Sequence, residues 1–265
     1  MSLRFPIALM CSIFCLSTPA WADYEAGAEA YSRGDHATAL REWRPFAEQG
    51  DVQSQYNLGW LYFYGRGVPQ DYAKARQWYE KSAAQGAVSA QYNLGQLYAN
   101  GQGVPQDYAH ARRWYEKAAA QGHAPSQHNL GWLYFYGRGV PQDYETARQW
   151  YEKAAVQGDT RAATNVGTMY LGGYGVSQDY LTALFWLRRA AGHGSAMAQE
   201  KLGVMYQEGW GVAQDYVEAH KWYSLAAANG DKMGAEGRDA LAKQMTSTEI
   251  ALAQELAREW KPKDK

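Results

Sequence analysis

Asn57-Leu58-Gly59-Trp60-Leu61-Tyr62-Phe63-Tyr64-Gly65-Arg66-Gly67-Val68-Pro69-Gln70-Asp71-Tyr72, followed by Ala75, Trp78-Tyr79 and Gly86, is the stretch that decides the fold, because it returns every 36 residues. Gly59 recurs as Gly95, Gly131, Gly167 and Gly203; Asp71 as Asp107, Asp143, Asp179 and Asp215; Trp78 as Trp114, Trp150, Trp186 and Trp222. A fixed period of this length is the signature of stacked supersecondary units, each too small to bury its apolar face alone. It outranks any reading of the 265 residues as one or two globular domains.

Each period reads as helix, turn, helix. Leu58, Leu61 and Tyr62 stand at helical spacing on a first helix, A. Gly59 lies among them at a cost of about 1 kcal/mol relative to Ala. Its return in every copy points to a close approach by the second helix, B. Gly65 and Gly67 end helix A, with positive φ required in at least one of them. Val68 turns toward the core, Asp71 caps helix B, and Tyr72, Ala75, Tyr79 and Ala83 form its apolar stripe.

Five full units follow from this register: 51–86, 87–122, 123–158, 159–194 and 195–230. Residues 23–50 align as a shorter unit, with Asp35, Ala39, Trp43, Ala47 and Gly50 one period ahead of Asp71, Ala75, Tyr79, Ala83 and Gly86. Its loop, Tyr31 to Asp35, is about four residues shorter, as in a plain tetratricopeptide-type hairpin. After Gly230 the period stops. A helix is expected over 233–243, and Thr246 with Glu249 forms a capping box that opens a last helix ending near Trp260. Residues 231–265 thus cap the array and carry its tail, since terminal units must cover an exposed core face. The fold class is an all-α solenoid of helix-turn-helix repeats.

The amino terminus has the form of a secretory signal, residues 1–22. Arg4 is its positive charge, Phe5 to Ser17 its apolar run, and Ala20-Trp21-Ala22 its cleavage site, so the mature chain begins at Asp23. Met10 before Cys11 and Phe14 before Cys15 argue against a lipoprotein signal. Both cysteines fall inside the leader, which leaves the mature chain without a disulfide, a thiol nucleophile or a thiolate metal site. An exported protein is therefore expected, periplasmic or secreted, with no membrane insertion after cleavage. The formal charge of -1 becomes -2 when Arg4 is lost, so nothing suggests the basic face that nucleic acid requires, and no nucleic-acid partner is expected.

The run from Leu58 through Gly59, Leu61-Tyr62, Gly65, Gly67-Val68, Gln70-Asp71-Tyr72, Lys74-Ala75, Trp78-Tyr79, Lys81, Ala83 and Gly86 resembles the Sel-one-like repeat, a relative of the tetratricopeptide repeat. The resemblance covers residues 51–230. It implies a right-handed superhelix of helix pairs whose A helices line a concave surface, used mainly as an adaptor for other proteins; a monomer is expected. Some secreted relatives are cysteine-rich and linked to β-lactam binding or hydrolysis; the paired cysteines of those relatives are missing here.

The Gly-x-Gly turns follow helices rather than strands, so they are turns and not phosphate loops. The helix-B tryptophans recur in every unit and belong to the stacking core. The six histidines form no zinc pattern, although His123 and His128 lie five apart. No serine, histidine and acid set stands out, and Glu208 and Glu218 are isolated carboxylates. No cofactor, metal or catalytic residue is expected. Asn57, Asn93, Asn129 and Asn165 share one register of helix A; they either hold the backbone of an extended peptide or bond a neighbouring unit. The positions just after the helix-A glycine vary, which frees them from the repeat's own packing. Trp60, Phe63, Trp132 and Phe135 there are candidate apolar anchors, or fill gaps between helices, and Arg66 and Arg138 lie in the turns beyond as partners for acidic groups. The expected function is a non-catalytic adaptor of the bacterial cell envelope that binds a protein or extended peptide. The alternative is a hydrolase or small-molecule binder acting on cell-wall glycan or a β-lactam.

Overall fold

The computed structural model describes residues 20–262, which form fourteen α-helices and no strand. Most of the expected leader, with Cys11 and Cys15, and the last three residues of the tail lie outside the described residues. The chain divides into two compact units, residues 1–87 and 88–265. The first holds α1 (Ala20–Ser32), α2 (His36–Glu48), α3 (Val52–Tyr64) and α4 (Tyr72–Ala84). The second holds α5 (Val88–Asn100), α6 (Tyr108–Ala120), α7 (Ala124–Tyr136), α8 (Tyr144–Val156), α9 (Thr160–Gly172), α10 (Tyr180–Gly192), α11 (Ala196–Glu208), α12 (Tyr216–Ala228), α13 (Lys232–Ala242) and α14 (Ser247–Glu259).

The repeat chemistry acts as its residue types dictate. A Cβ on Gly59 would stand 2.5 Å from Tyr79 Cδ1, and one on Gly131 2.6 Å from Tyr151 Cδ1. Helix B therefore lies against bare backbone, and its tyrosine is buried there. The short first hairpin repeats the device with other residues: a Cβ on Gly27 would meet Trp43 Nε1 at 2.4 Å. The two turn glycines have separate tasks. Gly137 ends α7 in the left-handed region with φ 63°. Gly139, with φ 68°, presses on the start of α6, where a Cβ would fall 2.6 Å from the carbonyl carbon of Tyr108. The first glycine thus closes its own helix and the second lets one repeat dock on the one before it.

Asp71 and Asp143 cap α4 and α8 by accepting from the backbone N–H of Lys74 and Thr146. The Lys74 backbone N–H holds the Asp71 carboxyl below the usual range, and the Thr146 hydroxyl followed by its backbone N–H does so for Asp143. The glutamine before each cap closes the turn: Gln70 Nε2 donates to the Phe63 carbonyl at 2.8 Å and Gln142 Nε2 to that of Phe135 at 2.8 Å. A second amide pair ties the ends of the first and third full hairpins, with Gln85 donating to Gln55 at 2.9 Å and Gln157 to Gln127 at 2.7 Å.

The helix-B tryptophans are only partly in the core. Trp78, Trp114, Trp150 and Trp186 are half-buried, and Trp222 alone among the five is buried, at 8% exposure. Trp150 packs on the cluster built by Ala111 and Tyr115 of the preceding repeat and Leu130 of its own. The outward ring faces are covered by cations: Lys81 lies 4.1 Å from the Trp78 ring centre and Lys153 4.2 Å from that of Trp150. The residue between helices A and B is the one a position further on, tyrosine in four units and Leu187 in the fourth, because that register faces the glycine.

At the carboxyl end α13 and α14 close the array over α12. Leu241 joins Ala219 and Tyr223 in a buried cluster, and the Trp260 ring meets Trp222 edge-on at 6.1 Å. Thr246 and Glu249 form the reciprocal capping box that starts α14.

Candidate interaction clefts on the A helices

Each of the two compact units contains a cleft built around a helix-A asparagine and the tryptophan three residues later. In the first unit, Asn57 and Trp60 of α3 face Tyr24, Tyr31 and Trp43 across a cavity of about 270 Å³. Trp60 is half-buried, wedged between Tyr31 at 5.4 Å and Tyr64 at 4.6 Å between ring centres. Trp43 is oriented by its indole N–H, which donates to the Tyr24 carbonyl at 3.2 Å.

In the second unit, Asn129 and Trp132 of α7 open on a cavity of about 460 Å³. The opposite wall is Gln96, Ala99 and Asn100 of α5, with Tyr108 and Tyr115 of α6. Ala99 and Asn100 occupy the register that Phe63-Tyr64 and Phe135-Tyr136 hold in the neighbouring copies, and this loss of two rings makes the space. Trp132 is 36% exposed, with Tyr108 6.0 Å and Tyr136 5.2 Å away. Burial pushes the Tyr115 phenol well above its ordinary range, and burial, with the Arg161 guanidinium, holds His128 below the usual imidazole value. Neither lining includes a carboxylate, an ammonium or a guanidinium. Such a surface binds through ring faces, amides and hydroxyls, and selects uncharged polar groups such as a peptide backbone.

The residues singled out from sequence divide three ways. Trp60 with Asn57, and Trp132 with Asn129, come together in the clefts. The asparagines are half-buried and also serve the fold: Asn57 reaches Tyr24 Oη at 3.5 Å, and Asn165 approaches His128 Nε2 of the preceding repeat at 3.4 Å. Asn93 holds the same half-buried register. Phe63 and Phe135 do not line the cleft beside their tryptophans. Phe63 turns toward helix B, 5.3 Å from Tyr72 and 6.5 Å from Tyr79, and Phe135 lies 5.0 Å from Tyr144. They fill the gap between helices: a step of three residues turns about 300°, about 60° short of a full turn, and this carries Phe63 from the side of Trp60 toward helix B. Arg66 and Arg138 stand exposed in the turns, outside both linings. Tyr24, Tyr31, Tyr108 and Tyr115 were missed from sequence. The available signal was the repeat offset, since a cleft wall comes from the preceding hairpin.

Among the described residues no group of three or more His, Cys, Asp or Glu side chains is arranged to hold a metal ion. No helix among them is long and apolar enough to cross a membrane.

The Sel1 repeat pattern matches residues 52–86, 88–123, 124–159, 160–195 and 196–231. The chain belongs to the Sel1 repeat family. It is similar to the crystal structure of a Sel1 repeat protein from Oxalobacter formigenes, at 31% identity and a TM-score of 0.77, over 91% of this chain and 99% of that one. It is also similar to c5321, a protective antigen present in uropathogenic Escherichia coli strains that displays the same repeat fold, at 32% identity and a TM-score of 0.59. That match covers 91% of this chain, which spans 60% of the length of c5321. No curated protein sequence matches the chain. Sel1 repeat proteins typically serve as non-catalytic scaffolds for protein–protein interaction.

Proposed function

We propose that this Sel1 repeat protein is an exported, periplasmic adaptor of the bacterial envelope. It holds an extended segment of another protein on its A helices, with Trp60 and Trp132 as ring platforms. Asn57 and Asn129 bond the segment's backbone, and Arg66 and Arg138 meet acidic groups from the turns. The observation that carries this reading is the return of one Asn–Trp pair, at the same register, beside an uncharged cleft in each unit. Two like sites on one scaffold raise avidity above that of either alone when a partner engages both. The test immobilises residues 23–265 and exposes them to a native envelope extract, with Trp132→Ala as control. A protein retained by the first and lost from the second supports the adaptor; identical or empty captures remove the cleft proposal. Amino-terminal sequencing of the protein from a periplasmic fraction tests export, with Asp23 as the expected first residue.

A further inference from the structure

The fourth repeat departs from the others on the outer side of its helix B, away from the residues assigned above. Leu181 and Phe185 on α10 are 68% and 59% exposed. One period earlier the same positions hold Glu145 and Gln149, and two periods earlier Ala109 and Arg113. The change extends along the face. The third repeat pairs Arg148 with Glu152 at 2.7 Å; the fourth has Leu184 and Arg188 in their places. The amide pair of Gln127 and Gln157 becomes Ala163 and His193, which frees the imidazole from that role. Leu181, Leu184, Phe185, Arg188, Arg189 and His193 line a depression of about 490 Å³ with no carboxylate among them. Both arginines are held in place. Arg188 Nη2 donates to Tyr206 Oη at 2.5 Å, and Arg189 lies over the Trp186 ring at 5.6 Å while donating to the Val156 carbonyl at 3.4 Å. A guanidinium has five N–H donors, so each retains donors for a ligand.

We propose that this face of α10 is a second docking surface, for a protein segment carrying a large apolar side chain flanked by carboxylates. Two exposed large apolar side chains in a register that holds polar or small residues in the three preceding repeats mark an interaction site. The loss of Glu152's counterpart, with guanidinium in its place, sets the charge of the partner. A membrane surface is the poorer fit. Electrostatic attachment to anionic lipid uses clusters of about four to eight basic residues, whereas here two arginines and a histidine edge a concave site. The adaptor so equipped would join two partners, one on the A helices and one on α10.

The test selects a random dodecapeptide library displayed on phage against residues 23–265. Enriched peptides are then measured on Leu181→Glu/Phe185→Gln, which restores the third repeat's residues, and separately on Arg188→Glu. The latter places a carboxylate where the preceding repeat bonds Glu152 to Tyr170 Oη, so both variants are compatible with folding, and unchanged melting confirms it. The proposal expects peptides rich in aromatic or large aliphatic residues next to Asp and Glu. Their affinity should fall about tenfold or more in each variant, fall with added salt, and stay unchanged in Trp132→Ala. Failure to enrich, enrichment without acidic bias, or binding equal in wild type and both variants overturns it. Co-sedimentation with phosphatidylglycerol vesicles that these variants abolish, in place of peptide binding, also overturns it and assigns the face to lipid. Loss of envelope-extract binding in Trp132→Ala is a separate readout, so either docking site can fail alone.

Discussion

Residues 55–86 and 127–158 differ at five of 32 positions, yet the clefts beside Trp60 and Trp132 are unlike. The first is about 270 Å³ and walled by aromatic rings, with its tryptophan wedged in place; the second is about 460 Å³, walled by amides, with its tryptophan open. The copies are nearly the same, so the difference comes from the hairpin in front. Before Trp60 stands the short first hairpin, which supplies Tyr24, Tyr31 and Trp43. Before Trp132 stands the second repeat, which supplies Gln96, Ala99 and Asn100. In a stack where each repeat contacts only its neighbours, a site belongs to a junction and not to the repeat that carries its main residue.

The strongest challenge to that comparison is at the shared glycine. Gly59→Ala and Gly131→Ala should each cost about 2 to 3 kcal/mol, by overpacking against Tyr79 and Tyr151. Urea unfolding would check it, and a large inequality between the two would mean the copies do not share one interior. Next is the tryptophan itself. Trp60→Ala should destabilise by about 2 kcal/mol, Trp132→Ala by less than about 1 kcal/mol, because the first ring is half-buried and packs closer on its two ring neighbours than the exposed second one does. Equal losses would overturn the junction argument.

The third prediction uses one of the five differences, Tyr56 against His128. Burial holds the His128 folded-state value below that of the unfolded chain, so folding disfavours its proton. Its cost is absent above about pH 6.5 and grows as pH falls through that unfolded value. His128→Tyr should therefore lower the loss of melting temperature between pH 7.5 and pH 5, and an unchanged pH slope would rule the effect out. The cap carboxylates act in the same direction at lower pH. Asp71 and Asp143 have lowered folded values, so their contribution is present above about pH 3.9 and lost only as pH falls further. The smallest effect on stability is expected from Ala99→Phe with Asn100→Tyr, within about 0.5 kcal/mol. These substitutions should fill the second cleft and end its binding; retained binding in a competition assay would mean that the cleft is not the site.

Much of the fold was legible because its determinants are local. Asp71 is a cap whatever surrounds it, Gly65 ends a helix through its own φ, and Thr246 with Glu249 makes a capping box from residues three apart. The recurrence of Gly59 also announced a close helix pair before the partner ring was known. The reading failed where a side chain had to be assigned to one of two neighbours. Phe63 and Phe135 share the free register with the tryptophans, but a step of three residues turns them toward Tyr72 and Tyr144. The helix-B tryptophans recur as faithfully as core residues do, but four of them sit half-exposed because they seal the edge of one repeat against the next. The amide ladder answered two needs at once, lining clefts at Asn57 and Asn129 and reaching across repeats at Asn57 and Asn165.

The sequence by itself determined the period, the helix boundaries, the family and the glycine-backed hairpin, since these rest on contacts within about forty residues of chain. Only the tertiary structure decided which tryptophan is wedged and which is open, where the phenylalanines turn, and that α10 exposes Leu181 and Phe185 beside two oriented arginines. The physical reason is that periodicity records what every repeat must do to fold, whereas a cleft or an exposed face is set by what the adjacent hairpin places, or omits, on the other side.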